Sequence, residues 1–345
     1  MTYFALTKIF ILTALGFFVS LAATPLFTTF LYKKHLGKQI RNDGSTPHFS
    51  KLHQDKTGTP TMGGVLVWGT LLALICFFWF LDRVLHIQSL HWLNFLTRKE
   101  TLLPLGVLLG ASLVGLIDDW MDSRKKGHNG RGLRFRFKLL LYVFVAIIGA
   151  WWFYFKLGFS IVHVPLLGNF DFGVWFIPFF ILAVVSTSFA VNETDGLDGL
   201  AGGILLIAFF SYGLIAYAQG KENLASFTGV ICGSLLAFLW FNVYPARFFM
   251  GDTGSMGLGT LLAILAFLTH SIFLLGLIGF VFMAEALSVL LQLFWRKVFH
   301  KKLLLSAPMH HHFQALGWPE TKVTMRFWII AAVMSIFGVI VYFIG

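Results

Sequence analysis

Three acidic clusters stand at the ends of long apolar runs. They are Asp118-Asp119, the stretch Asn192-Glu193-Thr194-Asp195-Gly196-Leu197-Asp198-Gly199-Leu200, and Asp252 within Phe248-Phe249-Met250-Gly251-Asp252-Thr253-Gly254-Ser255. Carboxylates near lipid are costly and do not help a chain insert, so their repetition points to a membrane-embedded site for a cation, and for phosphate held by that cation. Asp252, set among Gly251, Thr253, Gly254 and Ser255, resembles an oxygen-rich magnesium site, where the ion keeps waters and borrows phosphate oxygens. Asp195 and Asp198 are three apart and share one face if the segment is helical. The glycine after each lets backbone approach a ligand closely, whereas a lone Asp-Gly would be only a turn. Asp118 and Asp119 are roughly 100° apart on a helix, so one faces the site while the other meets a loop or the metal's outer shell. A solvated helix end is the plain alternative, but carboxylates at a helix C-terminus gain nothing from the dipole.

Other polar groups accompany these clusters. Lys56-Thr57-Gly58-Thr59-Pro60-Thr61-Met62-Gly63-Gly64 runs straight into an apolar segment. Its hydroxyls, free backbone N–H groups and Lys56 cation suit a phosphate cradle, and an ordinary helix cap with Pro60 near the first turn explains the same residues. Phe248 and Phe249 either stack on a base or lie in the interfacial aromatic belt. In Pro308-Met309-His310-His311-His312-Phe313, consecutive histidines do not readily chelate one tetrahedral zinc ion. Hydrogen bonding to phosphate or nucleotide is the better reading, with a solvated loop as the alternative.

The elements that position these groups are transmembrane helices. Hydrophobic residues make up 57% of the 345, and charged ones 12%. Mean hydropathy is +0.80. A soluble domain carries about a quarter charged residues, so this is an all-α polytopic membrane protein, a single integral domain over residues 1–345. On a ruler of roughly 20 apolar residues per crossing, about ten spans are expected, at 8–31, 61–82, 101–118, 137–157, 174–191, 199–218, 224–243, 256–270, 272–295 and 325–344. Between the fourth and fifth, residues 161–173 alternate and carry a turn signal, predicting a short hairpin.

Most of the 26 Lys and Arg fall in loops on one side, including Lys33, Lys34, Lys38, Arg41 and Lys51 after the first span and Arg124 to Lys138 after the third. That side is assigned to the cytoplasm, which puts both termini outside and all the polar motifs on the inner face. Topology and anionic headgroups account for the net charge of +11; without a basic soluble domain, nucleic acid is not an expected partner. Cys76 and Cys232 fall inside spans and form neither a disulfide framework nor a zinc spacing. The absence of inverted repeats and the gathering of charge at one face speak against a transporter.

In order and spacing, Gly58 to Gly64, Asp118-Asp119, Asn192 to Leu200, Phe249 to Ser255 and Pro308 to Phe313 resemble the phospho-N-acetylmuramoyl-pentapeptide transferases. These form a bacterial branch of the polyprenyl-phosphate sugar-1-phosphate transferase superfamily. The acidic motifs mark the superfamily; the threonine–proline segment and triple histidine mark the muramoyl branch. The resemblance implies a magnesium-dependent homodimer of ten transmembrane helices in the bacterial inner membrane. Its reaction would transfer phospho-MurNAc-pentapeptide from UDP-MurNAc-pentapeptide to undecaprenyl phosphate, giving lipid I and UMP. By position it implies Asp252 as magnesium ligand and Asp118 as the residue that activates the lipid phosphate. Asp119, Asp195 and Asp198 would organise metal and nucleotide, Asp195 and Asp198 being further candidate ligands. Lys56, Thr61, Lys138, Asn192, Phe249, His310, His311 and His312 would hold phosphate, base or sugar.

Two positions depart from that pattern. Asp122 stands where a Lys usually follows the acidic pair, and Phe189 where a second Asn precedes Asn192. Both changes remove a polar or cationic group, which motivates two rivals: an N-acetylglucosamine-1-phosphate transferase acting on the same lipid, and a non-catalytic nucleotide-binding paralogue.

Overall fold

A computed structural model describes residues 2–34, 36–37, 56, 58–98, 100–127 and 132–345. Lys38, Arg41, Lys51, Thr57 and Arg131, named above, lie outside the described residues. The chain forms helices α1 (Thr2–Lys33), α2 (Gly64–Arg83), α3 (Leu102–Ser123) and α4 (Phe135–Trp151), the last prolonged by a π-helical turn. Strands β1 (Ile161–Val164) and β2 (Gly168–Asp171) pair antiparallel as the expected hairpin, with Val162 opposite Phe170. The Gly173 N–H and the Ser160 hydroxyl hold the Asp171 carboxyl below its usual pKa. Helices α5 (Phe176–Thr194), α6 (Leu200–Ala218), α7 (Glu222–Asn242), α8 (Asp252–Leu268), α9 (Leu275–Ile278), α10 (Phe280–Phe299), α11 (Met309–Ala315) and α12 (Glu320–Ile344) complete it.

Among the described residues, eight helices are long and apolar enough to cross a membrane, and a bent pair makes a ninth. The remaining expected span, 256–270, is α8. It begins four residues earlier than expected, and its 17 residues reach about 25 Å, short of the ~30 Å hydrocarbon core. Every residue from Thr253 to Leu268 is buried, so α8 is enclosed by protein, between α2, α3, α5 and α6. Small residues allow that enclosure. A Cβ on Gly64 would collide with the Gly254 backbone, and one on Gly257 with Ser112, so the axes approach as small-residue membrane interfaces do.

The span expected at 272–295 is not one straight helix. It turns through 84° between residues 278 and 280, at Gly279 (φ −98°, ψ 21°). Apolar residues continue through the bend, so composition alone does not disclose it. Beyond it, α10 leaves Leu287, Leu290, Leu291 and Phe294 exposed.

On the flank, α1 packs along α7 through Gly16, whose Cβ would meet the Val230 carbonyl at 2.7 Å, and Gly233, whose Cβ would strike the Thr13 carbonyl. Gly233→Leu is expected to pry α1 from α7 and cost about 1–3 kcal/mol, read as a lowered midpoint of thermal unfolding in detergent, while the exposed Phe210→Leu leaves the midpoint in place.

Candidate active site

The site is built around the N-terminus of α8. Gly251 turns the chain with φ 72°, a conformation that favours glycine, and Asp252 becomes the first helical residue. Asp119, reaching across from α3, accepts the N–H of Asp252 at 3.1 Å and of Thr253 at 3.0 Å. The Gly251 carbonyl takes the N–H groups of Gly254 and Ser255. The first four N–H groups of the helix therefore all have partners, the first two of them in a carboxylate on the favourable end of the dipole. Of the adjacent pair, Asp119 is thus the one that holds a neighbouring element.

Asp118 faces the other way. Its carboxylate accepts the Leu133 N–H at 2.6 Å and pairs with Lys138 at 2.9 Å. Lys138, near the start of α4, also pairs with Asp252, so one ammonium bridges two carboxylates. Asn192, on the last turn of α5, donates to Asp252 at 2.8 Å and to the Ser255 hydroxyl at 2.9 Å. Four separated segments therefore converge on Asp252.

A second group lies around Lys56, which pairs with Asp198 at 2.6 Å and Glu320 at 2.5 Å, with its ammonium 5.9 Å from the centre of the Phe249 ring. Asp198 also accepts the Ala246 N–H at 2.9 Å, and Glu320 accepts the Asp198 N–H at 2.7 Å. The Asp195–Asp198 segment is a turn rather than a helix. Asp195 ends α5 with ψ 50° and Gly199 takes φ 74° before α6 begins, so the two carboxylates do not share a helical face. Thr61 is buried where a Cβ on Gly251 would come 2.6 Å from its hydroxyl. The flanking strand-like pairing, Gly63 N–H to Phe249 O at 2.8 Å and Phe249 N–H to Pro60 O at 2.8 Å, fastens this segment to the Asp252 loop. Phe248 is fully buried, packed on Phe238 and Phe241, and Phe249 is half-buried.

The triple histidine lies on α11, not in an irregular loop, and its members diverge. His310 is fully buried, with its N–H and Nδ1 both 3.1 Å from Glu285 of α10. Its Nε2 is buried without a hydrogen-bond partner and abuts Gly196, where a Cβ would collide with it. In the neutral ring, donation from Nδ1 to the carboxylate leaves Nε2 an acceptor. His311 also approaches Gly196 and bonds Gln314 at 2.9 Å. His312 instead accepts the Leu305 N–H at 3.2 Å.

Sequence reasoning missed Glu285, Glu320 and Asn242. Asn242 ties the Gly199 N–H to the Phe248 carbonyl. Glu285 did carry a signal, a lone carboxylate inside an apolar span, which lipid would reject. Of the departures, Phe189 packs against Phe135 at 5.6 Å and Tyr142 at 6.1 Å, an aromatic patch on the α4 face that carries Lys138.

Among the described residues no three His, Cys, Asp or Glu side chains form a ready-made metal cage. Magnesium does not require one, since it retains waters and shares substrate phosphate oxygens. Two carboxylates already joined by one cationic group, with the Asn192 amide and Ser255 hydroxyl beside them, fit such an ion.

Fold and site together define a polytopic helical membrane protein with a carboxylate–ammonium centre at one end of its bundle. A family model for glycosyl transferase family 4 matches residues 101–270. The phospho-N-acetylmuramoyl-pentapeptide-transferase of Chloroflexus aurantiacus is 37% identical over 350 residues, covering 97% of this chain and 89% of that protein. Proteins of the same name from Geobacillus sp. and Anoxybacillus flavithermus are 38% and 36% identical, with 94% and 96% of this chain covered. The chain belongs to the phospho-N-acetylmuramoyl-pentapeptide transferase family.

Asp119→Ala should cost about 1–2 kcal/mol through loss of the α8 cap and should also release Asp252 from its position. The expected outcome is a lowered thermal midpoint together with at least a tenfold fall in turnover, whereas Asp119→Asn, which keeps one acceptor oxygen, retains most of the stability. An unchanged midpoint in Asp119→Ala would remove the cap from this account.

Proposed function

We propose that this protein transfers phospho-MurNAc-pentapeptide from its UDP carrier to undecaprenyl phosphate, releasing UMP, as a magnesium-dependent enzyme of the bacterial inner membrane. The observation that carries the reading is the convergence of Asp118, Lys138, Asn192 and Asp252, with Lys56, Phe249 and Asp198 grouped on the adjoining loop. The names of the relatives support the transferred group, and the membrane-spanning bundle supports a lipid acceptor. The density of basic residues on loops around this face supports its assignment to the cytoplasm. A homodimer is the proposed assembly.

In this reading the lipid phosphate attacks the sugar-bearing phosphorus, a P–O bond forms, and the pyrophosphate bond breaks to leave UMP. A phosphate monoester has its second pKa near 6, so the acceptor is already largely ionised at neutral pH. The protein's main task is to bring two polyanions together. Lys138 neutralises charge beside Asp252, and Asp118 holds Lys138 in place. Asn192 fixes the Asp252 carboxylate. Lys56 and the Phe249 ring form a cationic and aromatic seat suited to nucleotide phosphate and base. His310, held by Glu285, packs against Gly196 and supports the turn that carries Asp195 and Asp198. Magnesium, held by Asp252 with Asn192 and Asp118 nearby, would supply Lewis-acid stabilisation of phosphoryl oxygens.

The test is UMP release by purified protein with undecaprenyl phosphate, comparing UDP-MurNAc-pentapeptide with UDP-N-acetylglucosamine. Release from the muramoyl donor alone, abolished by chelation, restored by magnesium and lost in Asp252→Ala, is expected. Release from the other donor would move the assignment to the N-acetylglucosamine branch, and nucleotide binding without release would indicate a binding paralogue.

The departure at Phe189 yields a separate expectation. Phe189→Asn opens the aromatic patch beside Lys138 and should change the rate of the chemical step by more than threefold with little change in donor KM; equal effects on both would place Phe189 in binding instead.

A further inference from the structure

A groove of about 480 Å³ lies between the polar-face ends of α1 and α3, on the back of the catalytic helix. Its walls are apolar. Phe30 comes from α1, Leu36 and Met62 from the segments that follow α1 and precede α2, and Leu116, Ile117 and Trp120 from α3. Two cations complete the lining, Lys34 just past the end of α1 and Arg124 at the C-cap of α3. Both are exposed, and neither forms an ion pair among the described residues. A third, Lys126, lies 5.1 Å over the Trp120 ring.

The groove is not an annex of the substrate site. At about 100° per residue, Leu116, Ile117, Trp120 and Arg124 occupy one face of α3, while Asp118 and Asp119 project from the other, toward Lys138 and α8. A phosphate seated at Lys34 and Arg124 would have α3 between it and Asp252. The groove opens instead on the perimeter of the bundle, where Phe30, Ile117 and Trp120 are about half exposed (52, 53 and 45%). Apolar walls continuous with a lipid-facing surface, below two cations at helix ends, match an amphiphile with acyl chains and an anionic head. A free anion would have no use for the walls.

We propose that this groove is a binding site for an anionic phospholipid of the surrounding leaflet, distinct from the polyprenyl substrate. Its floor makes occupancy matter to the site on the other side. The Leu36 carbonyl accepts the Thr61 N–H at 3.0 Å, and Met62 takes a left-handed φ of 76°, which a non-glycine side chain adopts only at a cost. The next two residues are bonded to the loop before Asp252, Gly63 N–H to the Phe249 carbonyl and Gly64 N–H to the Met250 carbonyl at 2.9 Å. A lipid packed on Leu36 and Met62 holds that turn, and through it the loop carrying Phe249 and Asp252.

The experiment uses full-length protein in nanodiscs of phosphatidylcholine with increasing phosphatidylglycerol. Retained lipids are counted by native mass spectrometry, a readout that needs no turnover and so stands apart from the assigned reaction. Wild type should keep one phosphatidylglycerol more than the Lys34→Gln/Arg124→Gln double variant, whose retention should weaken about 10- to 30-fold, as expected for two basic side chains near a membrane surface. The conservative Lys34→Arg/Arg124→Lys pair should regain it. In the same discs phosphatidylglycerol should raise the thermal midpoint of wild type and not that of the double variant. Equal retention by wild type and double variant at every ratio, or no preference of wild type for phosphatidylglycerol over phosphatidylcholine, would overturn the proposal. Displacement of the retained lipid by equimolar polyprenyl phosphate would overturn it too, by making the groove a substrate site. If the double variant does not survive purification, wild-type preference and the conservative pair decide the matter.

Discussion

The bond from Asp119 to the first two N–H groups of α8 is the constraint on which the rest of the site depends. A helix beginning inside a bundle exposes four donors with no water to receive them, and each left unpaired would cost free energy comparable to a lost hydrogen bond. By meeting that need from α3, Asp119 fixes where α8 starts, and hence where Asp252 projects. Its neighbour Asp118 uses the same stretch of α3 to hold Lys138 against Asp252. The adjacent pair is thus one device with two directions, one capping α8 and one toward Lys138 and Asp252.

The site also shows how a single ammonium organises opposing charges. Asp118 and Asp252 would repel each other without Lys138 between them. The Lys56, Asp198 and Glu320 group repeats the arrangement a short way along the same face, with two acids sharing one cation. Charged groups placed at one end of the bundle, paired and partly enclosed, are tolerable there and would not be at mid-membrane.

Much of this was legible from the chain itself. Helical spans followed from apolar run length, and the hairpin from alternation and turn residues. Asp118, Asp252, Asn192 and Lys138 converge although the sequence separates them widely. What could not be read was geometry carried by contact. The 84° bend at Gly279 interrupts no apolar pattern. The Asp195–Asp198 spacing fits a helix and a turn equally well, and only the left-handed Gly199 decides for the turn. The histidines looked equivalent because they are consecutive, yet a helix points consecutive side chains apart, and Glu285, invisible as a partner 25 residues away, selects His310 alone.

The short, enclosed α8 has a consequence for how the protein is made. A helix of 17 residues with a carboxylate at its first position is a poor candidate for release into lipid on its own, being too short to match the hydrocarbon thickness and carrying a charge at its edge. Its long-helix packing partners α2, α3, α5 and α6 precede it in the chain, so they reach the bilayer first. The order of synthesis therefore presents α8 with a protein-lined slot rather than with lipid, and the segment bearing Asp252 enters the membrane by docking onto a bundle already there.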